Sequence, residues 1–407
     1  MRPEFYLLPW LALVALALPA VAAPDEQQLG KAAGYPIGTA ANWFFDESVR
    51  VGSFSHLDTL LPHHTLNKPA APLPLPAAAA SKLEYQFENR TLTVDDFLDR
   101  QRVTGLLVIK DGKVLFERYQ YDRNASHRFV SHSMAKSIVS LAVGMALAEG
   151  RIASLDDTVA KYVPKLAGAP YGETSIRNVL RMSSGVPFRE VYDGDDDLTR
   201  FVRARHTHGS IAALQMFDRR EAEQGTRFHY ASSETVLLAV LLREVTGTTL
   251  SEYLTPRLWQ PIGAEADATW IRASDGIDSA FGNFNATLRD YGRLGVLLAN
   301  DGAVGERQVV PKDYLLEATD RHRQPAAFAP RRATPFFGYG YQFWTFPEEK
   351  RRFALLGVHG QAIFVDPDLK LVMVVTAATR NANVGREPFA AERMAVWRGL
   401  VGKYGSW

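Results

Sequence analysis

The run Ser137–Glu149 is apolar nearly all round and stops at Gly150, which predicts a buried helix with Gly150 at its C-cap. That helix opens on Ser133-Met134-Ala135-Lys136. Ahead of it, two β-rich runs in Gly105–Tyr119 flank Asp111-Gly112, the pattern of a hairpin that begins an antiparallel sheet. After Gly150 the pattern turns helical, with Leu155-Asp156-Asp157 capping a segment that ends at Tyr162-Val163-Pro164. Thr174–Met182 predicts another helix, closed by Ser183-Ser184-Gly185, and 186–222 predicts irregular, charged loop and helix. Val236–Leu242 predicts a further apolar helix ending near Gly247. Leu355–Pro367 predicts an edge-type strand, followed by a turn and a second strand over Leu371–Val375.

The chain before the hairpin has no such regularity. Residues 24 to about 95 predict an extended preface, with Val51–His56 as a short strand or turn. Pro69–Pro76 and the alanines after it predict a polyproline-type linker. Arg2, an apolar core over Leu11–Leu18 and Ala20-Val21-Ala22 have the three-part shape of a secretory signal. The expected organisation is a signal over 1–22, an extension and linker over 23–94 and one domain over 95–407, with a helical insertion at about 156–289. The signal implies a periplasmic or secreted protein; an uncleaved N-terminal membrane anchor is the alternative, and no stable anchor remains once the signal is cut.

Composition removes several function classes. A net charge of +1 leaves no electrostatic footprint for nucleic acid. The absence of cysteine excludes disulfides, thiol catalysis and cysteine-ligated metals. His63-His64 has no nearby carboxylates on a regular element and is read as loop. The acidic run Asp193, Asp195, Asp196, Asp197 lacks the spacing and terminal glutamate of a calcium loop and is read as solvated. No metal or cofactor is expected.

The chemistry-bearing candidates begin with Ser133 and Lys136, three residues apart and therefore on one helical face. A lysine kept neutral by burial can take the serine proton, and the helix N-terminus offers N–H groups to an oxyanion. Tyr230-Ala231-Ser232 precedes the second apolar helix. Tyr230 is a general-base candidate if a cation such as Lys136 lowers its pKa, and Ser232 would relay a proton or hold substrate. In His359-Gly360-Gln361, Gly360 would let a ligand approach the backbone, and the N–H of Ala362 would be the second oxyanion donor.

Ser133-x-x-Lys136, Tyr230-Ala231-Ser232 and His359-Gly360-Gln361 stand in order, separated by roughly a hundred residues each. Together they resemble the serine β-lactamase and penicillin-binding-protein superfamily on its class C side. Glu149–Asp157, Met182–Gly185, Ala286–Gly295 and Gly338–Trp344 agree, and the resemblance spans about residues 95 to 400. Within it the chain most resembles the 6-aminohexanoate-dimer hydrolases and related esterases, through His-Gly-Gln and through Tyr192, which resembles a substrate-facing tyrosine there. The resemblance implies an α+β fold of the β-lactamase/transpeptidase type: an antiparallel sheet flanked by helices, with an inserted helical region and a site in the cleft between them. Two departures matter. Ser232 replaces an asparagine, and His359 replaces a lysine that pairs with the β-lactam carboxylate. Weak or absent β-lactam turnover is expected.

The implied activity is a secreted serine hydrolase acting on a small ester or amide through a Ser133 acyl-enzyme. Lys136 and Tyr230 share the deprotonation of Ser133, the N–H groups of Ser133 and Ala362 hold the oxyanion, and Tyr230 protonates the leaving group. The alternatives are a D,D-carboxypeptidase or β-lactamase-type enzyme, an acylating sensor or binding protein without turnover, and a relative with a dead site. The substrate, the oligomeric state and the choice between Lys136 and Tyr230 as general base stay open at this level. So does the role of the arginines in 318–337, which would favour acidic groups or simply be solvated.

Overall fold

The computed structural model describes residues 23–79 and 81–407; the expected signal, residues 1–22, lies outside the described residues. Seven antiparallel strands form the main sheet: β1 (Val103–Lys110), β2 (Lys113–Tyr119), β3 (Gly338–Tyr339), β4 (Trp344–Thr345), β5 (Phe353–Leu356), β6 (Ala362–Asp366) and β7 (Leu371–Ala377). Their spatial order is β3-β4-β5-β6-β7-β1-β2. The predicted hairpin is β1–β2, and its Asp111-Gly112 turn has φ of +51° and +71°, the positive pair that a tight hairpin turn needs. Pairing of β7 with β1 (Leu371 opposite Lys110, Val374 opposite Leu107) joins the C-terminal strands to this hairpin.

The helices packed on this sheet and its neighbours include α1 (Ala135–Ala148), α2 (Ser232–Thr246), α3 (Leu288–Ala299) and α4 (Pro388–Tyr404). The period-two alternation of β1 distributes its side chains to two cores. Leu107 and Ile109 enter the core shared with α1, α2 and α3. Leu106 and Val108 enter the core under α4, against Val396, Trp397 and Leu400. The architecture is the expected α+β arrangement.

Several local expectations are corrected. Val51–His56 is not a strand: Glu47–Phe54 is a helix whose first turn is capped by the Asp46 carboxylate, accepting from the Ser48 N–H at 3.0 Å. His63 and His64 lie on a strand rather than in a loop. That strand (His63–Leu66) begins a second, four-stranded sheet with Ala268–Ile271, Phe284–Thr287 and Arg128–Val130. The 156–289 region is therefore not wholly helical. Only 3-10 turns form over Val159–Lys161 and Pro164–Leu166, where Pro164 cannot continue a helix.

The Pro-rich stretch is held to the body. The Val114 N–H donates to the Pro76 carbonyl (2.8 Å) and the Ala78 N–H to the Val114 carbonyl (2.7 Å), covering part of the β2 edge. The supposed edge strand 355–367 is two interior strands, β5 and β6, separated by a 3-10 turn at Val358–Gly360. Among the described residues no helix is long and apolar enough to cross a membrane.

Candidate active site

Ser133 lies in a 3-10 turn, His132–Met134, that runs directly into α1. His132 holds φ +43°, a conformation unusual for a side chain of its size. Lys136 follows one turn later, 1% exposed. Its Nζ donates to the Ser133 hydroxyl at 3.1 Å, to the Ser232 hydroxyl at 3.0 Å and to the Phe281 carbonyl at 2.9 Å. Burial pushes the Lys136 ammonium down to about 8, against an opposing pull from the Glu190 carboxylate. About a tenth of the molecules therefore hold Lys136 neutral at pH 7, and the fraction rises with pH, as a proton acceptor requires.

Ser232 opens α2 and links Lys136 to Glu190. Its hydroxyl donates to Glu190 Oε1 at 2.9 Å, while its N–H donates to Oε2 at 2.9 Å. The Tyr192 hydroxyl also donates to Glu190 Oε1, at 2.7 Å. Glu190 was not singled out from the sequence, where it is one acid among many in a charged loop; only its position opposite α2 distinguishes it.

Tyr230 stands beside this chain of contacts. Lys136 Nζ lies over its ring face, 4.8 Å from the centroid, and Trp344 stacks on it at 5.7 Å. The expected lowering of its pKa by Lys136 is not found. Burial first, then the Glu190 charge, raises the phenol well above its ordinary value, and the neighbouring Ser133 hydroxyl opposes this only in part. Tyr230 is a protonated group at neutral pH.

The third motif is corrected most. The His359 ring is buried, with Nδ1 2.9 Å from the Thr379 carbonyl and edge-to-face contacts with Phe44 and Phe54. Burial, assisted by Arg50, pushes it down to about 3, so it is neutral. Gly360 (φ +92°) is needed for packing rather than for a ligand: a Cβ there would meet the Phe389 ring at 2.8 Å. Gln361 clasps the strands, accepting from the Ala377 N–H (3.1 Å) and donating to the Ala377 carbonyl (2.7 Å). Ala362 pairs with Leu356 on one side and Val375 on the other. It is paired on both sides inside the sheet and is not among the residues lining the Ser133 cavity.

Strand β5 reaches the serine instead. A Cβ on Gly357 would meet the Ser131 carbonyl at 2.5 Å, and the next residue, Val358, lines the same cavity as Ser133. That cavity has a volume of about 220 Å³. Ser133, Glu190, Tyr192 and Ser232 line it, and so do Trp43 and Phe44 of the supposed preface. No lysine or arginine is among the described residues lining it. The arginines of 318–337 lie elsewhere. Arg321 pairs with Glu349 (2.7 Å), Arg323 with Glu317 (3.0 Å), and Arg331 and Arg332 are exposed. In the acidic run Asp193 and Asp195 are exposed as expected, but Asp196 is buried: it caps the helix Asp197–His208 and accepts from the N–H groups of Val191 and Tyr192, each at 2.8 Å.

Residues 92–395 match the model of the Beta-lactamase family. A 6-aminohexanoate-dimer hydrolase from Paenarthrobacter ureafaciens is 28% identical over 360 residues, covering 85% of this chain and 88% of that protein. A "Putative D-alanyl-D-alanine carboxypeptidase" of Escherichia coli (strain K12) is 22% identical over 183 residues, 44% of this chain and 42% of that one. Among solved structures, a "Putative 6-aminohexanoate-dimer hydrolase from Bacillus anthracis" superposes with a TM-score of 0.78 at 23% identity, over 89% of this chain and 96% of the other. At that identity the structural likeness speaks for the fold.

Proposed function

This chain belongs to the Beta-lactamase family and is a serine hydrolase, and from that premise we propose that it cleaves a small linear amide or ester through an acyl-enzyme on Ser133. The observation that carries the reading is the hydrogen-bond chain from Ser133 through buried Lys136 to Ser232 and Glu190, at the floor of a cavity. Neutral Lys136 takes the Ser133 proton as the hydroxyl attacks the carbonyl. The N–H of Ser133 and that of Val358, at the start of its 3-10 turn, receive the oxyanion. Tyr230, protonated, gives its proton to the leaving amine or alcohol; water then attacks the acyl carbon, passing a proton to the Tyr230 phenolate, and Ser133 leaves with the proton held by Lys136. Lys136 is thus the base and Tyr230 the acid.

The absence of lysine and arginine from the described cavity lining, with His132 neutral by burial, supports a substrate that places no carboxylate in the cavity. This disfavours a carboxylate held inside the cavity, as in β-lactam recognition; linear amides are favoured by the likeness to the Paenarthrobacter relative, whose named dimer of an amino acid would leave its own carboxylate outside the cavity.

Exposure to a fluorophosphonate tests the site. The expected result is a single covalent adduct by intact mass on the wild type and none on Ser133→Ala. Failure of the wild type to react would overturn the assignment. We further propose that residues 1–22 direct export. N-terminal sequencing of protein from the exporting cell should then begin at Ala23, and a retained Met1 would exclude cleavage.

A further inference from the structure

One wall of the Ser133 cavity comes from a part of the chain that lies outside the matched region 92–395. Trp43, Phe44 and Phe45 line one side, and Leu198 and Val202 of the helix Asp197–His208 line it as well. The segment is fixed in place. The Trp43 ring lies parallel to that of His132, at 6.1 Å and 12°. Phe44 meets His132 edge-on at 5.7 Å and His359 at 5.0 Å. Arg50 ties the segment to the end of β7, donating to the Phe45 carbonyl (3.3 Å) and to the Thr379 carbonyl (2.9 Å). Both histidines behind these rings are neutral by burial, so the wall carries no charge.

We propose that Trp43–Phe45 is a specificity wall that selects substrates whose acyl group is a straight apolar chain. The proposal rests on the serine-hydrolase reading of Ser133. The acyl side is assigned because Tyr230, the proton donor to the leaving group, is not among the cavity-lining residues and stacks on Trp344 instead. A chain laid along these rings leaves water with each methylene, which raises kcat/KM by roughly two- to fourfold per carbon.

The test is a series of p-nitrophenyl esters from acetate to hexanoate, with the wild type, Phe44→Ala and Phe45→Ala. Phe45 is 57% exposed, so its truncation opens no internal cavity and the variant folds even if Phe44→Ala does not. In the wild type kcat/KM should rise along the series. In the variants the hexanoate-to-acetate ratio should fall by about fivefold or more, with the change residing in KM. A wild-type series that does not rise, or ratios within twofold of wild type in both variants, would overturn the wall. A wild type that neither turns over any ester nor forms a fluorophosphonate adduct would instead remove the hydrolase reading beneath it.

Discussion

Ser133→Ala is expected to lower kcat/KM on any accepted ester or amide by roughly 10⁴-fold or more, to the level of binding and oxyanion stabilisation alone. Alanine keeps the 3-10 turn and fills no new space, so the fold should survive. The hydroxyl removed is the one bonded to Lys136 Nζ, and no other hydroxyl is placed to substitute for it as nucleophile: that of Ser232 is held between Lys136 and Glu190. The measurement is steady-state kinetics on a short-chain ester, with substrate turnover and thermal unfolding compared side by side. Activity within tenfold of wild type in a folded variant would show that another group attacks the carbonyl.

Lys136→Met is expected to cost about 10³-fold in kcat/KM, the usual scale for a lost proton acceptor. Methionine preserves the stem and removes a buried charge, so folding is not expected to suffer. The pH profile carries the finer result. With Lys136 pushed down to about 8, roughly one molecule in ten holds the neutral base at pH 7 and about nine in ten at pH 9. Activity should therefore rise about tenfold over that interval and level off above it. The groups facing Lys136 are the Ser133 and Ser232 hydroxyls, the Phe281 carbonyl, the Tyr230 ring and, through Ser232, Glu190.

A buried acid on α2, Glu234, falls in the same range. Burial pushes Glu234 up to about 8, and its carboxylate accepts from the Ser184 hydroxyl at 2.6 Å. The profile of the wild type alone cannot separate the two. Loss of the inflection in Lys136→Met assigns it to the lysine. An inflection near 8 that persists in that variant would move the base assignment away from Lys136.

Motifs that act through local geometry were legible in the chain itself. Ser133 and Lys136 meet because three residues of helical backbone bring them together, whatever lies around them. The Asp111-Gly112 turn, the apolar α1 and α2 and the strands near the C-terminus follow from patterns only a few residues long. Tyr230 and Ser232 were found in the same way, as polar residues placed just before a buried helix, although not the direction of the Tyr230 pKa shift. That direction depends on burial and on Glu190, which is 40 residues away in sequence.

The third motif was misread because its local appearance is compatible with two opposite orientations. His359-Gly360-Gln361 lies in a turn after β5, and a one-residue change in where the strand ends decides which groups face the serine. The turn aims His359 at Phe44 and Phe54, commits Gln361 to the Ala377 backbone and leaves Val358, not Ala362, at the cavity. Trp43, Phe44 and Phe45 stand in a stretch without periodicity, so nothing local indicates what they pack against.

The sequence by itself determined α1, α2, the β1–β2 hairpin and the spacing of the serine, lysine and tyrosine, because hydrophobic periodicity and helical pitch act over a few residues. Only the tertiary structure decided how Glu190 joins Lys136 through Ser232, which strand end reaches Ser133 and which aromatic rings enclose the cavity. Those contacts join residues far apart in the chain, and burial, which sets the protonation of Lys136 and Tyr230, arises only when the layers close on one another.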